Sequence, residues 1–197
     1  MRNLINKLSV ILLIMSMLYG CVSKIMIPAS PVTSTNNEKA LVTFLMSSSW
    51  QNHIGRQSNP AEEFDIWDSE KFIGALSVNT YFQYAADPGE HLFVARGGTW
   101  SFVKADLRSG KRYYVFLNVH PLFFRRDGVI FQPVKVGDKE LMANIPWYLN
   151  NLKPISVIKD KYDDYIKDRI SEVKYEIDFF SKSTEYGFSS LDAQDGL

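Results

Sequence analysis

The sequence predicts a mainly β domain, an antiparallel β-sandwich or open barrel of about eight strands, followed by a helical segment with one long amphipathic helix. Three observations carry this. First, Asp87–Val119 reads as strand, turn, strand, turn, strand. His91–Ala95 alternates, with Leu92 and Val94 opposite His91, Phe93 and Ala95, and Ser101–Leu107 alternates again, with Val103, Ala105 and Leu107 opposite Phe102, Lys104 and Asp106. Second, Pro88-Gly89, Gly97-Gly98 and Ser109-Gly110 punctuate these runs as turns. Third, Lys111–His120 is mostly apolar on both faces, so it needs cover on both sides and belongs in the middle of a sheet.

The remaining strands follow in chain order. Ala40–Met46 opens the domain. Phe64–Trp67 and Lys71–Leu76 flank a tight turn at Asp68-Ser69-Glu70, and Thr80–Ala85 leads into the Pro88-Gly89 turn. Arg126-Asp127-Gly128 reads as a hairpin turn and Val129–Val136 as its return strand. Ser47–Glu62 is polar and irregular. Beyond Val136, Asp138 is placed to cap a short helix, which Pro146 interrupts or restarts before Trp147–Leu152. Pro154 and Ser156 punctuate the chain again. In Val157–Ser181, Ile158, Tyr162, Ile166, Ile170, Val173, Ile177 and Phe180 recur at three- or four-residue spacing, which predicts one helix roughly 35 Å long. Its stripe packs on the sheet or, alternatively, forms a seam with a second copy or a partner. Ser183–Leu197 is polar and is expected to fray.

Composition narrows the function. Of 197 residues, 46% are hydrophobic and 22% charged, with 22 basic against 22 acidic side chains, so no basic footprint for nucleic acid exists. The only cysteine is Cys21, which excludes an internal disulfide and a cysteine-rich metal site. Residues 1–20 have the form of a secretory signal: Arg2 and Lys7 supply positive charge, and Leu8–Leu18 is an apolar run too short for the roughly 20 residues of a membrane span.

Leu18-Tyr19-Gly20-Cys21 resembles a bacterial lipobox. The resemblance implies cleavage before Cys21, a diacylglycerol thioether on its sulfur and acylation of the new amino terminus. Each buried CH₂ contributes about 0.8 kcal/mol, so two or three chains hold firmly where one holds marginally. Val22 stands where Asp favours inner-membrane retention in lipoproteins of enteric type, which implies the outer membrane, facing the periplasm. Val22–Glu38 has the Pro, Ser, Thr and Asn content of a linker, with a reach on the order of 50 Å. Ile25-Met26-Ile27 is its one apolar patch and docks on the domain or on the membrane. The expected organisation is therefore signal peptide 1–20, lipidated cysteine and tether 21–38, β domain 39–136, helical tail 137–183 and disordered end 184–197.

A second resemblance covers residues from about 40 to 136. Ala40–Met46, the Pro88-Gly89-Glu90-His91 turn, and Ala105-Asp106-Leu107 followed by Gly110-Lys111-Arg112-Tyr113-Tyr114-Val115 resemble a group of uncharacterised bacterial lipoproteins that carry a domain of unknown function. It implies a β-sandwich, and no catalytic residue comes with it.

The residues themselves offer no catalytic constellation. His53, His91 and His120 lie far apart and in no ligand spacing, so no metal or other cofactor is expected. Ser47-Ser48-Ser49 lacks a Gly-x-Ser-x-Gly frame, and the glycines form no phosphate-binding loop. Asp163 and Asp164 fall on the charged face of the helix. Two features suit a contact surface. One is the tip with Phe123, Phe124, Arg125 and Arg126, mixed apolar and basic, as a membrane- or partner-facing loop would be. The other is a sugar-stacking set drawn from Trp50, Trp67, Trp100 and Trp147. Three functions are in play: a tethered binding or scaffold module, an envelope hydrolase or glycan-modifying enzyme, and a homo-oligomer joined through the long helix.

Overall fold

A computed structural model describes residues 25–32, 37–48, 62–120, 128–183 and 187–197. The fold is mixed α/β, 46% strand, with two open mixed sheets and three α-helices among the described residues. The strands are β1 (Met26–Pro28), β2 (Ala40–Met46), β3 (Phe64–Asp68), β4 (Lys71–Leu76), β5 (Thr80–Ala86), β6 (Gly89–Arg96), β7 (Trp100–Leu107), β8 (Arg112–His120), β9 (Gly128–Pro133), β10 (Lys153–Val157) and β11 (Ser189–Leu191). The helices are α1 (Lys139–Asn151), α2 (Tyr162–Lys167) and α3 (Ile170–Lys182). One sheet runs β1-β10-β5-β2-β8-β9 and the other β11-β7-β6-β3-β4.

The sheets face each other. Ala40, Val42, Phe44 and Met46 of β2 are buried in the core between them. Phe44 stacks on Phe82 of its own sheet at 5.1 Å and meets Phe93 of the other edge-on at 5.1 Å. Gly74 lies where a Cβ would come within 2.9 Å of the Phe82 ring, so the lack of a side chain sets how closely the sheets approach.

Each outer face has its own cover, because alternate residues of these strands are apolar on both sides. Leu45, Tyr81, Tyr114 and Phe116 point outward and cluster with Ile145, Tyr148 and Leu152 of the α1 region. On the other sheet Trp67, Val94 and Phe102 stand in register across β3, β6 and β7. Phe102 stacks on Phe180 of α3 at 4.1 Å, and Phe72 of β4 meets Tyr165 of α2 at 5.1 Å. The result is helix, sheet, sheet, helix. β8 lies inside its sheet with Tyr113, Val115, Leu117 and Val119 on one face and Tyr114 and Phe116 on the other, all buried.

Several expectations need correction. The sheets are mixed: β2 with β8, β10 with β5 and β11 with β7 pair in parallel. The long helix over Val157–Ser181 does not form. Val157 ends β10, Lys159–Lys161 is a 3-10 turn, and the rest divides into α2 and α3 at Asp168-Arg169. The division coincides with a local contact. Arg169 donates to the Tyr165 carbonyl at 2.6 Å, and its Nε lies 3.3 Å from the Asp65 carboxylate of β3. The side chain thus reaches down to the sheet and covers a carbonyl of the last turn of α2. Tyr162, Ile166, Ile170 and Ile177 pack partly buried against the core and Val173 is fully buried there, so the stripe is used within the chain, while Ile158 joins the edge by donating its N–H to the Ile25 carbonyl at 2.8 Å. Pro146 does not break α1, which runs through it. Asp138 stands at the start of α1, but its carboxylate accepts from the Lys135 N–H at 3.0 Å.

Both expected loose ends are tied down over their described residues. Ile25 is 0% exposed and Met26 is buried, because β1 pairs antiparallel with β10. Val32 N–H donates to Gln83 Oε1 at 2.6 Å. At the other end, β11 extends the second sheet, Leu191 is buried, and Leu197 exchanges backbone hydrogen bonds with Arg112. Lys135 Nζ bonds Asp192 at 3.0 Å and Asp195 at 2.9 Å, and the Asp195 carboxylate also accepts from the Val136 and Asp192 amides.

Candidate functional site

A cleft of about 770 Å³ opens where β1, the end of β2, the β4–β5 turn, the end of α1 and the start of β10 meet. Asn79 organises its floor. It sits at φ +61°, a left-handed position that Asn tolerates because its short amide can bond locally. Its Oδ1 accepts from the Ser48 N–H at 2.9 Å and its carbonyl from the Lys153 N–H at 2.9 Å. The turn around it is closed by Thr80 Oγ1, which donates to the Ser77 carbonyl at 2.7 Å and accepts from the Ser77 N–H at 3.2 Å. One asparagine therefore joins three segments. Trp147 forms part of the wall, carried on the last turns of α1, where Asn151 Nδ2 donates to the Trp147 carbonyl at 2.8 Å. Trp147 is 54% exposed and Ile27, also on the wall, 44%.

Chemically this is a mixed surface. Val78, Leu152 and Ile155 give apolar contact, the serines and asparagines give hydrogen bonding, and Glu63 and Lys153 are the ionisable groups of the described wall. Its size falls within the about 300–1,000 Å³ of small-ligand sites.

The histidines are placed otherwise. His91 Nδ1 lies 2.8 Å from Asp68 Oδ2 and its Nε2 lies 2.8 Å from the Asp87 carbonyl. Tyr84 donates to the same Asp68 oxygen at 2.9 Å. Both imidazole nitrogens face oxygen partners, an arrangement that favours the protonated ring and leaves both nitrogens engaged within the chain. The Asp68 hydrogen bond, aided by the Asp87 carbonyl, raises the His91 pKa above its ordinary value against the opposing effect of burial. Burial, then the charge of Asp68, raises the Tyr84 hydroxyl strongly. His120 lies on β8, its ring so close to Gly128 that a Cβ there would sit 2.2 Å from Nε2.

A second polar cluster lies under α2 and α3. Asp65 is 3% exposed, accepts from the Tyr165 hydroxyl at 2.6 Å and lies 3.6 Å from Arg96 and 3.3 Å from Arg169. Arg96 Nε donates to Glu172 of α3 at 3.0 Å. Burial first, then the Asp65 charge, pushes the Tyr165 hydroxyl well up. Two carboxylates balance two guanidiniums here, which suits a dock for the helices.

Comparison with known proteins returned nothing: no family model matches the chain, and no curated protein or solved structure matches it.

Of the expected site residues, Leu18, Tyr19, Gly20 and Cys21 lie outside the described residues, as do Trp50, His53, Ser49 and the tip with Phe123, Phe124, Arg125 and Arg126. The described tryptophans do not converge on one surface: Trp67 is fully buried under α2, Trp100 is half-buried on β7 and Trp147 stands alone at the cleft. Among the described residues no cluster of three or more His, Cys, Asp or Glu could hold a metal ion, and no helix is long and apolar enough to cross a membrane. Sequence reasoning missed the cleft. The one local signal was Asn79 between two apolar runs, a residue type suited to a left-handed turn.

Proposed function

We propose that this chain is a lipid-anchored protein of the bacterial cell envelope, held in the outer membrane on its periplasmic side, and that its folded part is a binding or scaffold module akin to the lipoproteins it resembles. The observation that carries the reading is the single cysteine at the end of an apolar leader, in the order Leu18-Tyr19-Gly20-Cys21. The cleft beside β1 supports a binding role, since its wall combines apolar contact with amide and hydroxyl groups. The helical stripe packs, partly buried, against the chain's own core, which favours a module over an oligomer joined through those residues.

Metabolic labelling with palmitate is the test. Wild type takes up label and matures, whereas Cys21→Ser accumulates as the longer precursor without label. Normal maturation of Cys21→Ser, still unlabelled and still sedimenting with membranes, refutes the anchor.

A further inference from the structure

We infer that the mouth of the cleft, rimmed by Ile27 and Trp147, is seated on the phospholipid surface, so that the cleft opens at the bilayer interface. The inference rests on the lipid anchor proposed above and adds an orientation to it. The strand pairing of β1 supplies the constraint. Ile25 is fully buried, its carbonyl accepts from the Ile158 N–H at 2.8 Å, Met26 faces Val157 in register, and Ala29 N–H bonds the Pro154 carbonyl at 3.0 Å. The chain is therefore fixed on the body from Ile25 onward. Four peptide links separate it from Cys21, and whatever their conformation they span at most about 14 Å. Ile27 lies two residues further, within about 21 Å of the acylated residue. The tether expected from Val22–Glu38 is cut short, because Ile25–Pro28 is already packed on the body through β1, and the body cannot stand clear of the membrane.

Which face turns to the lipid follows from what lies beside β1. Met26, Ile27 and Pro28 form one wall of the cleft and Trp147 stands on the same cleft. At 44% and 54% exposure, Ile27 and Trp147 are apolar side chains left to solvent on the cleft that β1 lines. A tryptophan with a wet N–H and an apolar ring suits the headgroup boundary. Anchoring makes this contact intramolecular, so a modest apolar gain suffices to hold it.

The test uses the mature lipidated chain reconstituted into phosphatidylethanolamine–phosphatidylglycerol vesicles with brominated acyl chains. The lipid on Cys21 is checked by mass spectrometry. Wild type is expected to lose markedly more tryptophan emission than Trp147→Phe, and a Gly/Ser spacer of about 20 residues inserted between Lys24 and Ile25 is expected to cut that difference by about half or more. Equal fractional quenching of wild type and Trp147→Phe, with lipid present on Cys21, overturns the orientation and leaves the anchor standing. No lipid on Cys21 overturns both. Protection of Trp147 from bromolipid and from aqueous acrylamide, together with a crosslinked dimer, assigns the face to a second copy and overturns the inference.

Discussion

His91 on β6 and Asp68 at the end of β3 are joined by a 2.8 Å contact between Nδ1 and Oδ2, with both side chains largely out of solvent. The same ring reaches back to the Asp87 carbonyl, four residues earlier, so the Pro88-Gly89 turn is fastened from inside. Gly89, at φ +121°, supplies the backbone conformation that lets the turn close.

This pair makes stability depend on pH. The folded His91 pKa is raised, so its contribution is complete below the unfolded value of about 6.5 and is lost as pH rises through the folded value. Urea midpoints measured from pH 6 upward should fall over that window for wild type. His91→Gln should be less stable at pH 6 and flat across the same window. A wild-type midpoint that rises there would contradict the clip.

Asp195 gives the opposite sign. Burial works to raise its carboxyl, but the Lys135 ammonium and the Asp192 and Val136 amides outweigh it and hold the pKa below the ordinary range. Its stabilisation is present above the unfolded carboxylate value of about 3.9 and disappears as pH falls through the lower folded value. Asp195→Asn should therefore be destabilised near neutrality and lose less than wild type on acidification, as read by thermal melts in a pH series.

Gly74→Ala places a methyl against the Phe82 ring at 2.9 Å, between two packed sheets. Overpacking of this kind costs about 1–3 kcal/mol. Gly74→Ala with Phe82→Leu should recover part of the loss relative to Phe82→Leu alone, and strict additivity in chemical denaturation would argue against the contact.

Tyr165→Phe removes the hydroxyl donor from a buried carboxylate. A hydrogen bond to a charged group contributes about 1.5–3 kcal/mol, so a loss of that order is expected in denaturant titration. Amides of α2 and α3 should exchange faster in the variant while those of β2 and β8 hold, because the bond fastens the helices to the sheet.

Removing Ser189–Leu197 deletes β11, exposes the β7 edge and leaves Lys135 without its carboxylates. The loss should exceed the roughly 1.5–3 kcal/mol of burying one leucine side chain such as Leu191. An unchanged melting temperature would mean that the segment is mere decoration.

The period-2 runs made most strands legible. β2 and β5 to β9 fall close to where alternation and turn residues put them, and β8 is interior, as its two apolar faces required. Partner choice was less legible. Parallel pairs such as Leu41 with Arg112 join segments far apart in the chain, and alternation gives a strand's faces but not its neighbours. Pro154 read as punctuation, yet β10 includes it, since its carbonyl still serves the Ala29 N–H and Lys153 and Pro154 lie beside Thr80 and Tyr81 of β5. The single long helix failed because spacing records which side is apolar and says nothing of a break; the break falls where Arg169 reaches across to Asp65. The cleft depends on distant segments meeting at Asn79, which periodicity cannot reveal.

The placement of β11 bears on how the chain matures. Its partner β7 is synthesised long before it, and Arg112 waits equally long for the backbone of Leu197. A nascent polypeptide emerging amino end first therefore carries β7 without this neighbour until β11 arrives, and pairing across such a separation is slow. For the exported lipoprotein proposed above, this delay would be an advantage during translocation: β11 closes the edge of the second sheet only after the strands it joins have been made.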